Sequence, residues 1–151
     1  KGVIYRGEPA QTQDIVYKNN IFLAQTRIIN SDMYAPGSFH ENHLFDYNLG
    51  YTALTSGPRY KWATVVGDAL NNTRYDSLEG FRAATGQEAN GKYGDPLLDL
   101  SPLADYPASS LLHNLRIASP DSPAIDAGAL ITGITNHYHG SAPDIGAYEF
   151  D

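Results

Sequence analysis

The sequence predicts an all-β chain, and three observations carry that expectation. Turn formers and tyrosine are spread throughout, with Gly 14, Pro 9 and Tyr 11 in 151 residues, and apolar residues seldom recur at helical spacing. Two segments read as copies of one short strand–turn–strand unit. The closing thirty-odd residues set two short apolar runs among Pro, Gly and Asp, an unusual density of constraint for a chain end.

The repeated unit is "VYKNNIFLA" at 16–24 and "FDYNLGYTA" at 45–53. Placing Asn20 over Asn48 sets Ile21 over Leu49 and Leu23 over Tyr51, 28 residues apart, a spacing typical of structural repeats. Each copy reads as a strand, a turn at Asn and another strand. The Asn amide is free to bond the next layer's backbone, and Asn tolerates positive φ. Stacked layers of this kind make a parallel β-solenoid. Residues 1–53 are therefore read as its terminal coils and residues 54–151 as a capping region of the same domain.

One helix is expected, in "DSLEGFRAATG" at 76–86: Asp76 or Ser77 as N-cap, Glu79 in the first turn, Gly86 closing in the left-handed conformation, and Leu78, Phe81 and Ala84 facing inward. A solenoid's last coil leaves unpaired backbone and an apolar cross-section, which need a cover. The segments "GDPLL" (94–98), "SPAIDAG" (122–128) and "APDIGAYEF" (142–150) are expected to fold back over that open end.

Those same segments, with the "KNNIFL" coil, resemble the C-terminal end of secreted right-handed parallel β-helix proteins of the pectate-lyase-like superfamily. The resemblance covers most of the chain and is most specific in its last third. Where many such endings carry a D-x-R-G style segment between the two closing motifs, this chain has "GITNHYHG" at 133–140. The resemblance implies a right-handed helix with a large irregular cap, a secreted or cell-surface location, and a groove for an extended polysaccharide, cleaved by lyase or hydrolase chemistry. It admits calcium, although no cofactor is evident in the residues. It also places catalytic groups on central coils, upstream of Lys1, so catalytic residues here are left unassigned.

Charge and length narrow the alternatives. Ten Lys and Arg against 17 Asp and Glu give a net charge of -7, which disfavours gripping a nucleic-acid backbone. No apolar run is long enough to span a membrane, and the absence of Cys excludes disulfides and thiolate zinc. Beginning at Lys1, the chain is expected to be a processed or truncated piece, needing its missing N-terminal portion or another chain, because solenoids need at least about three repeats for stability. The triplet Asn71-Asn72-Thr73 matches a glycosylation acceptor, a pattern that also arises by chance.

Several residues are candidates for chemistry. Paired carboxyls serve glycoside hydrolysis, and Glu41, Asp46, Asp68, Asp76, Glu79, Glu88, Asp95 and Asp99 are available. Asp95 and Asp126 read better as turn residues bonding nearby amides, and Asp144 and Glu149 as structural members of the tail. A uronate lyase needs a charge neutraliser and a base, which draws attention to His40, Glu41, His43 and Asp46. His137 and His139 share a face if extended. No metal site is assigned to either group. In "GPRYKWATVVGD" (57–68), Tyr60 and Trp62 share one face of a strand, and Arg59 and Lys61 the other. Aromatic faces stack on sugars and Arg pairs with uronate, so Arg59, Tyr60 and Trp62, with His43, form the candidate substrate-binding set. The reading from another class is a non-catalytic structural or adhesive end cap.

Overall fold

The computed structural model describes residues 3–7, 12–33, 40–41, 43–66, 69–99 and 115–150. They are mostly strands, with one short helix. Strands β1 (Val3–Gly7), β2 (Thr12–Gln13), β3 (Val16–Lys18) and β4 (Ile21–Ala24) form a first tier. The second consists of β5 (Ile29–Met33), β6 (His40–Glu41), β7 (Leu44–Asp46) and β8 (Leu49–Thr52). Each second-tier strand pairs in parallel with its first-tier counterpart.

The repeat register is observed: Ile21 pairs with Leu49 and Leu23 with Tyr51. Strand pairing also continues past residue 53. Strand β9 (Tyr60–Val66) runs parallel on β5 and then turns back as β10 (Ala69–Tyr75), antiparallel to it. After helix α1 (Leu78–Thr85), β11 (Lys92–Tyr93) lies parallel on Leu49 and Gly50 of β8. The sheets are ordered β1-β5-β9-β10, β11-β8-β4, β2-β6 and β3-β7.

A side-chain ladder pins the tiers. The Asn20 backbone N–H and Nδ2 both donate to Asn48 Oδ1, at 3.0 and 2.9 Å. Asn48 N–H and Nδ2 in turn donate to the Glu88 carboxyl, at 3.2 and 2.8 Å. The turn geometry corrects one expectation. The left-handed residues are Asn19 and Tyr47, at φ 56 and 57°, so each ladder Asn follows the strained position, and its amide is recruited for bonding.

Alternation along β4 and β8 separates two apolar clusters. On one side, Ala24 and Phe22 join Ile28, Ile29, Phe45, Tyr60, Leu78 and Phe81. There the rings form a continuous series: Tyr17 stacks on Phe45 at 4.3 Å, Phe45 meets Trp62 edge-on, and Trp62 meets Phe81. Each such pair adds about 0.5–1.5 kcal/mol beyond burial. On the other side, Ile21 and Leu49 pack with Ile117, Ala124 and Ile145.

This arrangement corrects the expected job of the tail. Its described apolar residues cover the outer flank of β4 and β8, and Gly146 donates to the Asn19 carbonyl at 3.1 Å. Strand β9 on β5 and β11 on β8 make a third tier, and the rings of β9 and β10 are covered instead by α1, whose Phe81 stacks on Tyr60 at 4.9 Å and touches Trp62 and Tyr75. Ser77 is the N-cap, accepting from Gly80 N–H, and Gly86 closes the helix at φ 71°. Ala84 is exposed rather than inward; the buried stripe runs from Leu78 and Phe81 toward Thr85, which bonds the Phe81 carbonyl.

The tail's Pro, Gly and Asp density has a local cause. Asp126 Oδ1 accepts from Ser141 and Ala142 N–H, and the two Asp144 oxygens accept from Asp126 and Phe150 N–H. Ser122 Oγ donates to the Pro96 carbonyl at 2.7 Å, joining "SPAIDAG" to "GDPLL". Gly128 lies so close to the chain at Pro143 and Asp144 that a Cβ would sit 2.8 Å from both carbonyl oxygens.

Two substitutions test these contacts. Asn48→Leu keeps the branched shape but strands Asn20 and Glu88, and is expected to lower unfolding stability by about 3 kcal/mol in urea titrations; a loss under about 1 kcal/mol would remove the ladder from its central place. Gly128→Ala forces the tail segments at Gly128 and Pro143–Asp144 apart and is expected to cost about 1–3 kcal/mol, with hydrogen-exchange protection lost first at Ile145 and Gly146. Uniform loss across the fold would contradict the local assignment.

Candidate functional site

The third tier is held against the second by side chains standing in for strand. The Gln87 amide accepts from Phe45 N–H at 2.7 Å and donates to the His43 carbonyl at 2.9 Å, filling the edge of β7. Glu88 follows at φ 55°, and its carboxyl ends the ladder. Arg82 of α1 reaches back to the Glu88 and Gly91 carbonyls at 2.7 and 2.8 Å. Asp46 accepts from Asn90 N–H and Nδ2 at 2.7 and 3.0 Å. The turn 88–91 is thus clamped from both sides, and Gly91 has no room for a Cβ beside the Glu88 carboxyl.

These clamps shape an open polar recess of about 610 Å³, lined by Tyr47, Leu78, Glu79, Arg82, Asn90, Lys92, Tyr93 and Asp126 among others. A smaller hollow beside it shares Leu78, Glu79 and Tyr93 and brings in Arg59. Tyr93 stands on the rim, 40% exposed. Its hydroxyl donates to the Thr52 carbonyl and accepts from Arg59 Nε, both at 3.2 Å, while the Arg59 guanidinium lies 5.3 Å from the ring centre. Lys18 sits 5.6 Å from the Tyr47 ring centre. Among the described residues the Lys92 ammonium has no partner.

The electrostatics follow from burial and backbone donors. Burial pushes the Glu88 carboxyl up to about 7, opposed by its bonds from Asn48; Asp46 adds to the rise and Arg82 counters it. The Glu79 carboxyl is held below its usual range by its own backbone N–H and the Ser77 hydroxyl. Asp126 is held low by the Ala142 and Ser141 N–H groups.

The four residues expected to bind substrate are dispersed. Tyr60 is buried, 1% exposed, with its ring stacked on Phe81. Trp62 shares that face, as alternation requires, and lies edge-on to Phe45 and Phe81. His43 is buried at the start of β7. Arg59 reaches the smaller hollow, although its guanidinium already bonds the Asp76 and Leu54 carbonyls and Tyr93.

Of the candidate carboxylates, Asp46 and Glu88 are buried and structural in their contacts, while Asp95 accepts from Leu97 N–H as a turn residue. Asp68 and the side chains of His40 and Glu41 lie outside the described residues. His137 and His139 are exposed. Among the described residues no three His, Cys, Asp or Glu gather as a metal-holding group. The tail acids Asp126 and Asp144 direct oxygens to backbone N–H groups, so they do not fit the oxygen cage that calcium requires.

Tyr47, Arg82, Asn90, Lys92 and Tyr93 escaped the sequence reading. Tyr47 carried a signal, because it stands directly before the ladder Asn. Comparison with protein-family models, curated proteins and solved structures returns no match. No helix among the described residues is long and apolar enough to cross a membrane.

Glu88 makes stability depend on pH in a defined direction. The folded carboxyl keeps its proton up to about 7, whereas its ordinary value is 4.5, so the folded state binds the extra proton between these values. Its contribution is full below pH 4.5 and lost as pH rises through 7, by up to about 3 kcal/mol. Urea unfolding from pH 4.5 to 8 is expected to show that decline, and Glu88→Gln to flatten it. An equal slope in both proteins would exclude Glu88 as its source.

Proposed function

We propose that this chain is the closing portion of a right-handed parallel β-helix of the pectate-lyase-like kind, and that it binds an extended polysaccharide in the recess between α1, β11 and the turn at Tyr47. Support for the architecture is the tier-on-tier parallel pairing with its Asn ladder. Support for the ligand is a surface that joins aromatic faces to hydrogen-bonding groups and a cation, the combination that grips sugar rings and a uronate.

The observation carrying the binding role is Tyr47. At the corresponding turn of the first tier the left-handed residue is Asn19, a residue type suited to that conformation, whereas here it is tyrosine at φ 57°. A bulky residue in that region costs about 1–2 kcal/mol, and such strain concentrates at ligand-binding positions. Tyr47 lines the recess, and a tyrosine there offers a sugar-stacking face that asparagine lacks. Arg59 stays in this assignment through Tyr93, which it orients. The recess is given a holding role in glycan depolymerisation.

A second reading, a non-catalytic end piece that assembles with another chain, is favoured by the outer edges of β1 to β4, which pair with no strand among the described residues.

Tyr47→Gly separates stability from binding. Removing the strain is expected to raise stability by about 1 kcal/mol, while affinity for the bound polysaccharide, found by calorimetry over a panel of acidic and neutral glycans, drops at least tenfold. Lys92→Ala is expected to weaken acidic glycans selectively. Should no glycan bind the parent protein, or should Tyr47→Gly bind as well as the parent, the recess is not the site. Release of an unsaturated product marks a lyase, new reducing ends without it mark a hydrolase, and binding without either supports the structural reading.

A further inference from the structure

All four sheets end on first-tier strands: β1, β2, β3 and β4 each form the outer member of their sheet. The opposite side is treated differently. There Gln87 fills the edge of β7, Glu88 receives the ladder, β10 turns antiparallel and α1 covers the rings. The two ends of the tier series are therefore chemically unlike.

The ladder has a direction. Each Asn donates, through backbone N–H and Nδ2, to the side-chain oxygen of the following tier. Glu88 accepts and, when ionised, has no side-chain donor to pass on. Asn20 donates both to Asn48 and, within its own tier, to the Lys18 carbonyl; among the described residues its Oδ1 accepts from nothing. That oxygen is the vacant counterpart of Asn48 Oδ1. Beside it, Leu23 and Val16 are 46% and 56% exposed. A cavity of about 540 Å³ runs along Asn19, Asn20, Ile21, Phe22 and Leu23, walled by Leu98, Leu115 and Gly146 on the tail side.

Building on the β-helix reading, we propose that the outer edge of β3 and β4 is a docking surface for one further parallel β-coil, which aligns an asparagine-type amide on Asn20 and aliphatic side chains on Ile21 and Leu23. The incoming backbone N–H and amide donate to Asn20 Oδ1, repeating the bonds Asn20 makes to Asn48. The strand continues the β11-β8-β4 sheet, and its outward side chains enter the cavity beside β4. Exposed parallel edges recruit strands in this way, and the vacant acceptor sets the register.

The test uses the whole protein and a labelled peptide with the sequence of residues 14–26, which supplies the donor arrangement of the first tier. Saturable binding is expected, with hydrogen-exchange protection at the amides of Ile21 and Leu23, which alternate away from β8. A peptide carrying Asn20→Asp, unable to donate from that side chain, is expected to bind at least tenfold more weakly. In the protein, Leu23→Lys charges the edge without touching the ladder and is expected to abolish binding. Absence of binding, equal affinity of the two peptides, or undiminished binding to the Leu23→Lys protein each overturns the proposal. Concentration-dependent self-association protecting the same amides without peptide would assign the edge to a second copy and overturn it as well. Glycan binding in the recess is measured separately on the same protein, so failure there leaves this result readable.

Discussion

The Asn20–Asn48–Glu88 ladder is the constraint from which the rest of the structure follows. Parallel pairing alone leaves neighbouring strands able to slip, and a slip of one residue would carry Ile21 and Leu49 to the opposite face. The ladder removes that freedom. Its bonds are buried at Asn48 and Glu88, 1% and 3% exposed, where an unmatched donor or acceptor costs about 1–3 kcal/mol. Misregistration by one position would leave several such groups unmatched together. Register is thus specified by polar satisfaction as well as by the apolar pattern.

The ladder also explains why the third tier looks unlike the first two. Asn48 takes both Asn20 donors on one oxygen, whereas Glu88 takes the two Asn48 donors on separate carboxyl oxygens, at the expense of a buried acid. The chain must then rejoin β8 at Lys92, so three residues, Ala89 to Gly91, form a bulge between the ladder and the strand. Arg82 and Asp46 tie that bulge down. The recess is the external surface of the same construction. Its floor is the clamped turn, its wall is the helix that covers the aromatic series, and its rim is Tyr93 at the end of the short pairing on Gly50.

How much of this the sequence disclosed depends on how local each cause is. The pairing of Ile21 with Leu49 was legible because both copies keep the same length between strand and Asn. The helix was legible because Ser77 and Gly86 are its own caps. The turn role of Asp95 needed only the nearby Leu97 amide, whereas Asp126, expected to bond its neighbours, accepts from Ser141 and Ala142 far along the chain, a pairing that only the folded tail creates. The third tier was hidden because α1 and the bulge stretch the separation between Leu49 and its partner Lys92 to 43 residues, so no fixed period exposes it. Tyr60 and Trp62 carried the residue types of a sugar platform, but the arrival of Phe81 from a distant helix turned them inward. The destination of the tail was also a tertiary matter: the apolar residues of "SPAIDAG" and "APDIGAYEF" suit any apolar surface, and the flank at Ile21 and Leu49 offered one.

Separating the two apolar clusters gives β4 an unusual position, since Phe22 and Ala24 pack on one face and Ile21 on the other, while Leu23 stays half exposed. Strands buried on both faces belong to parallel sheets inside larger folds, yet the β4 edge has no strand beyond it among the described residues. The tail reinforces this asymmetry. By bonding Asn19 through Ala129 and Gly146, it fixes the turn that presents Asn20, holding the ladder's first acceptor in position. If a strand is added at that edge, as proposed, the fixed turn lowers the entropy lost on its addition, because the presenting residues are already ordered.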